Sequence, residues 1–128
     1  MQAVRVRFVL TIPGRPMNAN DRLHWRAKAQ AVKTLRHEAT MEARAQWGVP
    51  RPLLTPVTVT VEHHTRTRRT TDTANIAPAV KTIIDAVVSA GWLPDDTPGY
   101  VTAIVFLPCV CTGTDEIRLT LDADRVKM

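Results

Sequence analysis

A basic run followed by spaced carboxylates is the feature of this sequence that could do chemistry. In chain order the set comprises Arg66, Arg68, Arg69, Asp72, Lys81, Asp85, Asp95 and Asp96. Arginines can hold phosphate groups, and carboxylates can bind a hard cation that polarises a phosphate and activates water. A lysine can stabilise the charge that develops on phosphoryl oxygens. Metal-dependent cleavage of a phosphodiester would need this combination.

The same residues also have ordinary structural explanations. Lys81 and Asp85 are spaced by one helical turn, where an exposed pair contributes about 0.2–0.5 kcal/mol. Asp95 and Asp96 follow a proline in a sequence that is typical of exposed turns. By spacing alone, the structural explanations are favoured over the catalytic one.

Several other kinds of site are excluded. The sequence contains no GxGxxG, Walker or HExxH motif. Cys109 and Cys111 would share one face of a strand as buried structural thiols, because no second pair completes a zinc site. His63 and His64 are adjacent and would point to opposite faces of a strand, so they cannot chelate a metal together. Ser89, the only serine, falls inside a predicted helix, which argues against a serine nucleophile.

The charge is unevenly distributed along the chain. There are 17 basic and 12 acidic side chains, which give a formal net charge of +5. Residues 1–71 hold 13 basic and 4 acidic side chains, whereas residues 72–128 hold 4 basic and 8 acidic ones. A basic half suggests a polyanion, most often nucleic acid, as a partner. The alternatives are solvated arginines without such a partner and a protein-interaction domain that meets an acidic protein.

Length and composition predict one folded domain over residues 1–128. Hydrophobic residues make up 45% and charged residues 23% of the chain, which is ordinary for a domain that buries a core. No apolar run approaches the roughly 20 residues that cross a bilayer, so no membrane association is expected. The N-terminal MQAVRVRFVL alternates apolar and basic residues, unlike a secretory signal. Since the 2 cysteines make no disulfide framework, we expect a cytoplasmic protein.

The elements that must position these residues follow from hydrophobic periodicity. The predicted strands cover residues 3–11, 57–62, 100–107 and 116–121. In the first strand Phe8 and Leu10 should face inward, with Arg7 on the other side. Residues 63–72 are predicted as a loop or strand end, and residues 122–128 are expected to fray.

Two amphipathic helices are predicted between these strands. The first covers residues 25–47 and carries an apolar stripe. The stripe comprises Trp25, Ala29, Val32, Leu35, Ala39, Ala43 and Trp47. The second covers residues 78–90, because Pro78 suits a first turn and Gly91 suits the position after the last. The order β-α-β-α-β-β predicts an α/β (α+β) fold in which two main helices pack on a mixed sheet.

One long segment resembles the signature of RusA-like Holliday-junction resolvases: RRTTDTANIAPAVKTIIDAVVSAGWLPDD. That signature has a basic run, a D-x-D-N motif, a lysine on the following helix and a D-D pair. The matching residues are Arg68, Arg69, Asp72, Asn75, Lys81, Asp85, Gly91, Asp95 and Asp96. The Ala-Pro-Ala stretch at 77–79 resembles actinobacterial and phage members. A second motif, N-x-R-x-H-W, matches Asn20, Arg22, His24 and Trp25.

The resemblance covers nearly the whole chain and implies a function. Members of this family are small homodimers that bind four-way or otherwise branched DNA and nick it with Mg²⁺ or Mn²⁺ during recombination and repair. It implies that Asp72 and Asp96, with Asp95, bind the metal and that Lys81 stabilises the transition state or positions the phosphate. The DNA-binding residues that it implies are Arg22, His24, Lys28, Arg66, Arg68, Arg69 and Asn75. Trp25 could stack at the branch, but its place in the apolar stripe predicts core packing.

The chain departs from the family pattern at Ala74, where the second Asp of D-x-D-N is expected. Positions 72 and 74 of an extended segment project to the same side, so the motif gives a metal two carboxylates at once. A methyl group in place of one should weaken Mg²⁺ binding. Three explanations fit: a natural member that binds DNA without cutting it, a deliberate Asp→Ala inactivation, or a site completed by Asp95 or Asp85. A non-catalytic, dimeric binder of branched DNA is therefore the alternative function.

Spacing gives no reason for Asp72 and Asp96 to share a site. The second predicted helix has about 13 residues and spans roughly 20 Å, with Asp72 before it and Asp96 beyond its far end. The two carboxylates meet only if the chain returns toward the helix start, or if a dimer brings them together.

Overall fold

The computed structural model describes residues 2–14, 25–53, 55–68 and 73–127. Its elements are β1 (Gln2–Pro13), α1 (Trp25–Trp47), β2 (Val57–Thr65), a 3₁₀ turn (Thr73–Ile76), α2 (Ala77–Ser89), β3 (Val101–Phe106), β4 (Val110–Cys111) and β5 (Glu116–Lys127). The predicted order is confirmed, and the two-residue β4 is an addition to it. The fold is a small α+β domain with a mixed five-stranded sheet. Within the described residues, no helix has the length and apolar character needed to cross a membrane.

The strand order determines which strands are exposed at the edges. It is β1-β5-β2-β3, and β4 continues the β3 edge by pairing with the end of β2. β5 is antiparallel to both β1 and β2, so β1 and β2 point the same way. β3 is parallel to β2 and is reached through α2, which supplies the crossover that a parallel pair requires. In the described sheet, β1 and β3 are therefore the edge strands.

Alternation along the strands sets the face that packs on the helices. In β2 every second side chain from Val57 to Thr65 is buried, and Leu10 of β1 and Leu119 of β5 join the same core. The buried side chains of α2 are Ala79, Val80, Thr82, Ile83, Ile84, Ala86 and Val87. The inward side predicted for the first strand is confirmed at Phe8 and Leu10. His63, one of the two adjacent histidines, lies on the buried face of β2.

α1 spans the predicted residues, but only its C-terminal half packs on the core. Ala39 and Ala43 are buried, whereas Trp25 is 67% exposed, so the predicted core packing of Trp25 is wrong. Leu35 is half-buried, whereas the described residues 25–30 of the helix are all exposed. Periodicity identifies the apolar face of a helix, but it carries no information on how much of that face a neighbour covers.

Two further predictions are corrected at strand ends. The sequence predicts fraying from residue 122, but residues 122–127 continue β5 and pair with β1 as far as Gln2↔Lys127. A neighbouring strand supplies those hydrogen bonds, and a local pattern does not record the neighbour. Cys109 is only partly buried and Cys111 is exposed, so the prediction of two buried thiols is wrong. The reason is that β4 is a two-residue strand at the sheet edge.

Candidate active site

One end of the domain carries several of the residues that the sequence analysis identifies. β1 and β2 end there, and the N-terminal half of α1 lines a hollow with Ile12, Pro13 and Ile117 at that end. The Asp115 carboxylate accepts a 2.9 Å hydrogen bond from the backbone N–H of Arg66, and its backbone carbonyl accepts one of 2.8 Å from Gly14. Asp115 thus ties the ends of β2 and β1 together, a role that no local motif signals. We call this region the loop end.

Lys81 is held in the early turns of α2. The 3₁₀ turn Thr73–Ile76 leads directly into the helix, and Pro78 lies in its first turn, where a missing N–H costs no helical hydrogen bond. The Thr82 hydroxyl donates to the Pro78 carbonyl at 3.0 Å. Because Val80 and the other buried side chains of α2 face the sheet, Lys81 points outward and its side chain is 68% exposed.

Asp96 reaches Lys81 because the chain folds back after α2. Gly91 has a φ of +97°, a left-handed conformation that reverses the chain direction, and its N–H donates to Val88 at 3.0 Å. Trp92 and Leu93 are then buried in the core. The backbone N–H of Leu53 donates to the Trp92 carbonyl at 2.8 Å. With these residues anchored, the exposed turn that follows lies along α2.

The resulting side-chain cluster joins residues that are distant in sequence. Lys81 Nζ donates to Asp96 Oδ2 at 2.8 Å and lies 3.5 Å from Asp85 Oδ1. The backbone N–H of Asp96 donates to the Asp95 carboxylate at 2.8 Å. The contact that spacing predicts, between Lys81 and Asp85, is present, but it is longer than the contact between Lys81 and Asp96. After α2 the chain therefore folds back as far as Lys81, as it must do if Asp96 is to approach the start of the helix.

Lys81 and Asp96 hold their charges at neutral pH. The hydrogen bond and charge of Lys81 lower the pKa of Asp96 below its ordinary value. The hydrogen bond from Lys81 to Asp96, with the charges of Asp85 and Asp96, raises the pKa of Lys81. Lys81 is thus a cation that can bind an anionic oxygen, and it is poorly suited to accept a proton as a base.

An apolar hollow of about 340 Å³ adjoins this pair between α2 and β3. Its walls are Ala77, Val80, Ile84, Val101, Ile104 and Phe106, and Lys81 and Asp96 are its charged members. The hollow exists because α2 does not fully cover the edge strand β3. The sequence patterns do not predict it, since no local signal fixes the lateral position of a helix on a sheet.

The predicted DNA-binding residues fall into two groups. Arg66 and Arg68 are exposed where β2 ends. Lys28 is exposed on the N-terminal half of α1, and Asn75 is half-buried in the 3₁₀ turn. All four belong to the loop end. The predictions for Arg22, His24, Arg69 and Asp72 lie outside the described residues.

The described residues do not by themselves make a metal site. Among them, no group of three or more His, Cys, Asp or Glu side chains could hold a metal ion. Asp95 and Asp96 are adjacent, but Asp96 already accepts a hydrogen bond from Lys81, and position 74 offers a methyl group. A divalent ion needs oxygen ligands in greater number. No catalytic step through a metal is therefore derived from these residues.

The arrangement can bind a phosphate. Lys81 stays a cation beside an apolar hollow, and a phosphate oxygen could replace Asp96 as its partner. Comparison of the chain with protein-family models gave no match, and comparison with curated protein sequences gave none either. The functional interpretation therefore depends on the residues, their geometry and the motif resemblance.

Proposed function

We propose that this chain is a structure-selective endodeoxyribonuclease of the RusA-like type, which binds and nicks Holliday junctions and other branched DNA. The observation that carries the proposal is the 2.8 Å contact between Lys81 and Asp96, which are separated by 15 positions. The motif resemblance assigns both residues to one site, and helical spacing gives no reason for them to meet. Their contact places an exposed, charged lysine beside an apolar hollow, which supports a phosphate-binding role.

The proposal assigns a role to each described residue of the candidate site. Lys81 binds a non-bridging phosphate oxygen, and Asp96 keeps the ammonium group in position before DNA arrives. Arg66, Arg68 and Lys28 neutralise backbone phosphates, so binding should weaken with salt. Mg²⁺ or Mn²⁺, which the resemblance assigns to Asp72, Asp95 and Asp96, would supply Lewis-acid chemistry when bound.

The proposal also concerns assembly and cellular setting. A symmetric junction needs two cuts, and a homodimer supplies two equivalent sites. The expected setting is a bacterial cytoplasm, with the chain encoded by the bacterium or by a phage. No membrane and no small-molecule cofactor other than the metal are part of the proposal.

A second candidate function is binding of branched DNA without cleavage. Two observations favour it: Ala74 replaces an expected carboxylate, and the described residues contain no three-ligand metal group. The exposed basic residues of the loop end would serve this function equally well.

Cleavage of a labelled four-way junction in Mg²⁺ and then Mn²⁺ distinguishes the two. The wild-type chain is compared with Ala74→Asp and with Ala45→Asp, a matched control that adds the same charge on an exposed part of α1. We expect Ala74→Asp to cut at the branch because it restores the second carboxylate of the D-x-D-N motif, and we expect Ala45→Asp to behave as the wild type does.

Each outcome distinguishes between the two candidate functions. If only Ala74→Asp cuts, the site is a resolvase site that lacks one ligand. If the wild type also cuts and Asp72→Asn abolishes cutting, another carboxylate completes the site. If neither cuts but both bind the junction in a salt-sensitive way, the non-catalytic function is correct. Equal affinity for the junction and for a linear duplex would overturn both candidates.

A further inference from the structure

The outer face of α1 carries basic side chains along one line. The line comprises Arg26, Lys33, His37 and Arg44, which are spaced by 7, 4 and 7 residues and are all exposed. At about 3.6 residues per turn, these spacings place the four side chains within roughly 40° of one another around the helix axis. With a rise of about 1.5 Å per residue, the line is roughly 27 Å long. We call these four residues the α1 ridge.

The α1 ridge lies on the side of the helix that the domain does not cover. Leu35, Ala39 and Ala43 pack on the core and lie about 100° to 180° from the ridge around the helix axis. A helix binds a lipid surface by burying its apolar face at the boundary of the acyl chains. Because the core of the domain already occupies the apolar face of α1, a membrane is not the partner that this surface fits.

The cations of the α1 ridge have no acidic side chains beside them. The two acidic residues of α1, Glu38 and Glu42, are half-buried and lie about 120° and 160° from the ridge. Glu42 accepts a 2.7 Å hydrogen bond from Gln46, whose side chain bonds β1. In the part of the chain that the structure describes, no carboxylate forms an ion pair with Lys33 or Arg44. The ridge therefore presents uncompensated positive charge to solvent.

This arrangement is unlike that of a helix face that only meets water. Such faces usually alternate charges of opposite sign, which stabilise the helix through pairs one turn apart. Lys33 instead lies one turn from the exposed Arg36, and like charges at this spacing destabilise a helix. A surface of one sign attracts a partner of the opposite sign. The ridge therefore indicates a polyanion as its partner.

We infer that the α1 ridge is a docking surface for double-stranded DNA, which it binds through backbone phosphates. A duplex presents one phosphate charge per roughly 1.7 Å of its axis, so a straight ridge can meet several of them at once. Arg44 suits a phosphate because its guanidinium can donate two parallel hydrogen bonds, and Lys33 supplies a point charge. Such contacts hold a duplex without reading its base sequence.

Other polyanions fit the ridge less well. Single-stranded nucleic acid is bound by surfaces that combine cations with aromatic rings on which the bases stack, and the ridge contains no Phe, Tyr or Trp. An acidic protein would need a well-packed apolar centre at its interface. The side chains beside the ridge are Gln30, Thr34, Thr40 and Met41, and one methionine does not make such a centre.

The α1 ridge is separate from the candidate site at Lys81. The end of α1 is bonded to β1 through Gln46 and Trp47, whereas the hollow at Lys81 lies between α2 and β3, the other edge strand. The inference therefore goes beyond the proposed nuclease function, because it adds a second DNA-binding surface that depends on neither Lys81 nor a metal. That surface should hold a linear duplex and an arm of a junction equally well.

Fluorescence anisotropy with a labelled linear duplex tests the inference, in EDTA and over a range of salt concentrations. We expect Arg44→Gln to flatten the slope of log affinity against log salt by about 0.9, and Lys33→Gln with Arg44→Gln to flatten it by about 1.8. The double variant should bind roughly 60-fold more weakly at about 0.1 M salt, since each lost contact costs about eightfold there. Arg51→Gln is the matched control for Arg44→Gln, because it removes the same group from an exposed arginine outside the ridge. It should leave both quantities unchanged.

Two further measurements separate charge from helix stability. In urea unfolding the double glutamine variant should be at least as stable as the wild type, because glutamine is a good helix former and the like-charge repulsion at Lys33 is removed. Lys33→Arg with Arg44→Lys keeps both charges, and we expect it to keep the salt slope of the wild type. A slope that is lost in the first variant and kept in the second identifies charge as the cause.

Three results would overturn the inference. The first is a double glutamine variant whose salt slope equals that of the wild type. The second is an equal loss of affinity in Arg44→Gln and Arg51→Gln. The third is polyglutamate or a single DNA strand that competes for the wild type as well as a duplex of equal charge does. Because the test uses unbranched DNA without a metal, its failure would leave the cutting of branched DNA to the separate test at position 74.

Discussion

The two edge strands of the sheet, β1 and β3, differ in what protects their outer sides. At β1, Gln46 and Trp47 of α1 bond the outer backbone groups of Thr11 and Val9. At β3, an uncharged apolar strand borders an open hollow. Since edge strands are templates for pairing, the difference shows what protects each edge: α1 side chains bond β1, and β3 carries a register irregularity against β2. The remaining predictions test each part of this contrast.

The largest effect is expected from Trp47→Ala. The Trp47 ring lies 5.5 Å from that of Phe8 and 5.1 Å from that of Trp92, and its N–H is bonded to β1. Loss of this packing should lower the free energy of unfolding by about 3 kcal/mol, measured by urea denaturation. Trp25→Ala, at the exposed start of the same helix, is the control and should cost much less. Equal losses of unfolding free energy would mean that the Trp47 contacts contribute no more to stability than the exposed start of α1 does.

A smaller effect is expected from Gln46→Ala. It removes two side-chain bonds to Thr11 and should lower the free energy of unfolding by about 1 kcal/mol, since water replaces part of what is lost. It should also open the β1 edge to pairing. We expect the Gln46→Ala variant to show more concentration-dependent association by ultracentrifugation than the wild type does. Gln30→Ala, whose side chain bonds only Thr34 within the described residues, should cause none.

The smallest effect concerns the charges beside the β3 edge and is expected from Lys81→Met. The lowered pKa of Asp96 means that this pair stabilises the fold above pH 3.8 and loses that effect as pH falls through the lowered value. The raised pKa of Lys81 means that the effect is complete below pH 10.5 and is lost as pH rises through the raised value. Solvent screening keeps it small, because both side chains are substantially exposed.

Urea unfolding at about pH 3, 7 and 11 measures this prediction. The difference between the wild type and Lys81→Met should be largest at neutral pH and shrink at both extremes. Lys33→Met, an exposed change on α1, should show no such dependence. A difference that does not vary with pH would mean that the Lys81–Asp96 contact makes no ionic contribution to stability.

Much of the fold is readable from local patterns because burial of one face leaves a periodic trace. The 25–47 helix, the alternating buried residues of β2 and the inward side of α2 all have this origin. The failures occur where burial depends on a distant neighbour. Trp25 continues an apolar stripe but is 67% exposed, and residues 122–127 form a strand because β1 lies beside them.

The candidate site divides in the same way. Spacing predicts the contact of Lys81 with Asp85, which are one turn apart, and it gives no sign of the shorter contact with Asp96. That contact depends on Gly91 reversing the chain and on Trp92 anchoring it in the core. The roles of Asp72 and Asp96 in metal binding stay predictions from the motif resemblance.

The sequence by itself determined the element types, their order, their inward faces and the basic character of the loop end. These properties depend on side-chain chemistry and on repeats of two or 3.6 residues, which each segment carries alone. Only the tertiary structure decided that Asp96 meets Lys81, that α1 side chains protect β1, and that β3 lies at the other edge. Those outcomes depend on strand order and on where each helix sits across the sheet, and no single segment encodes either.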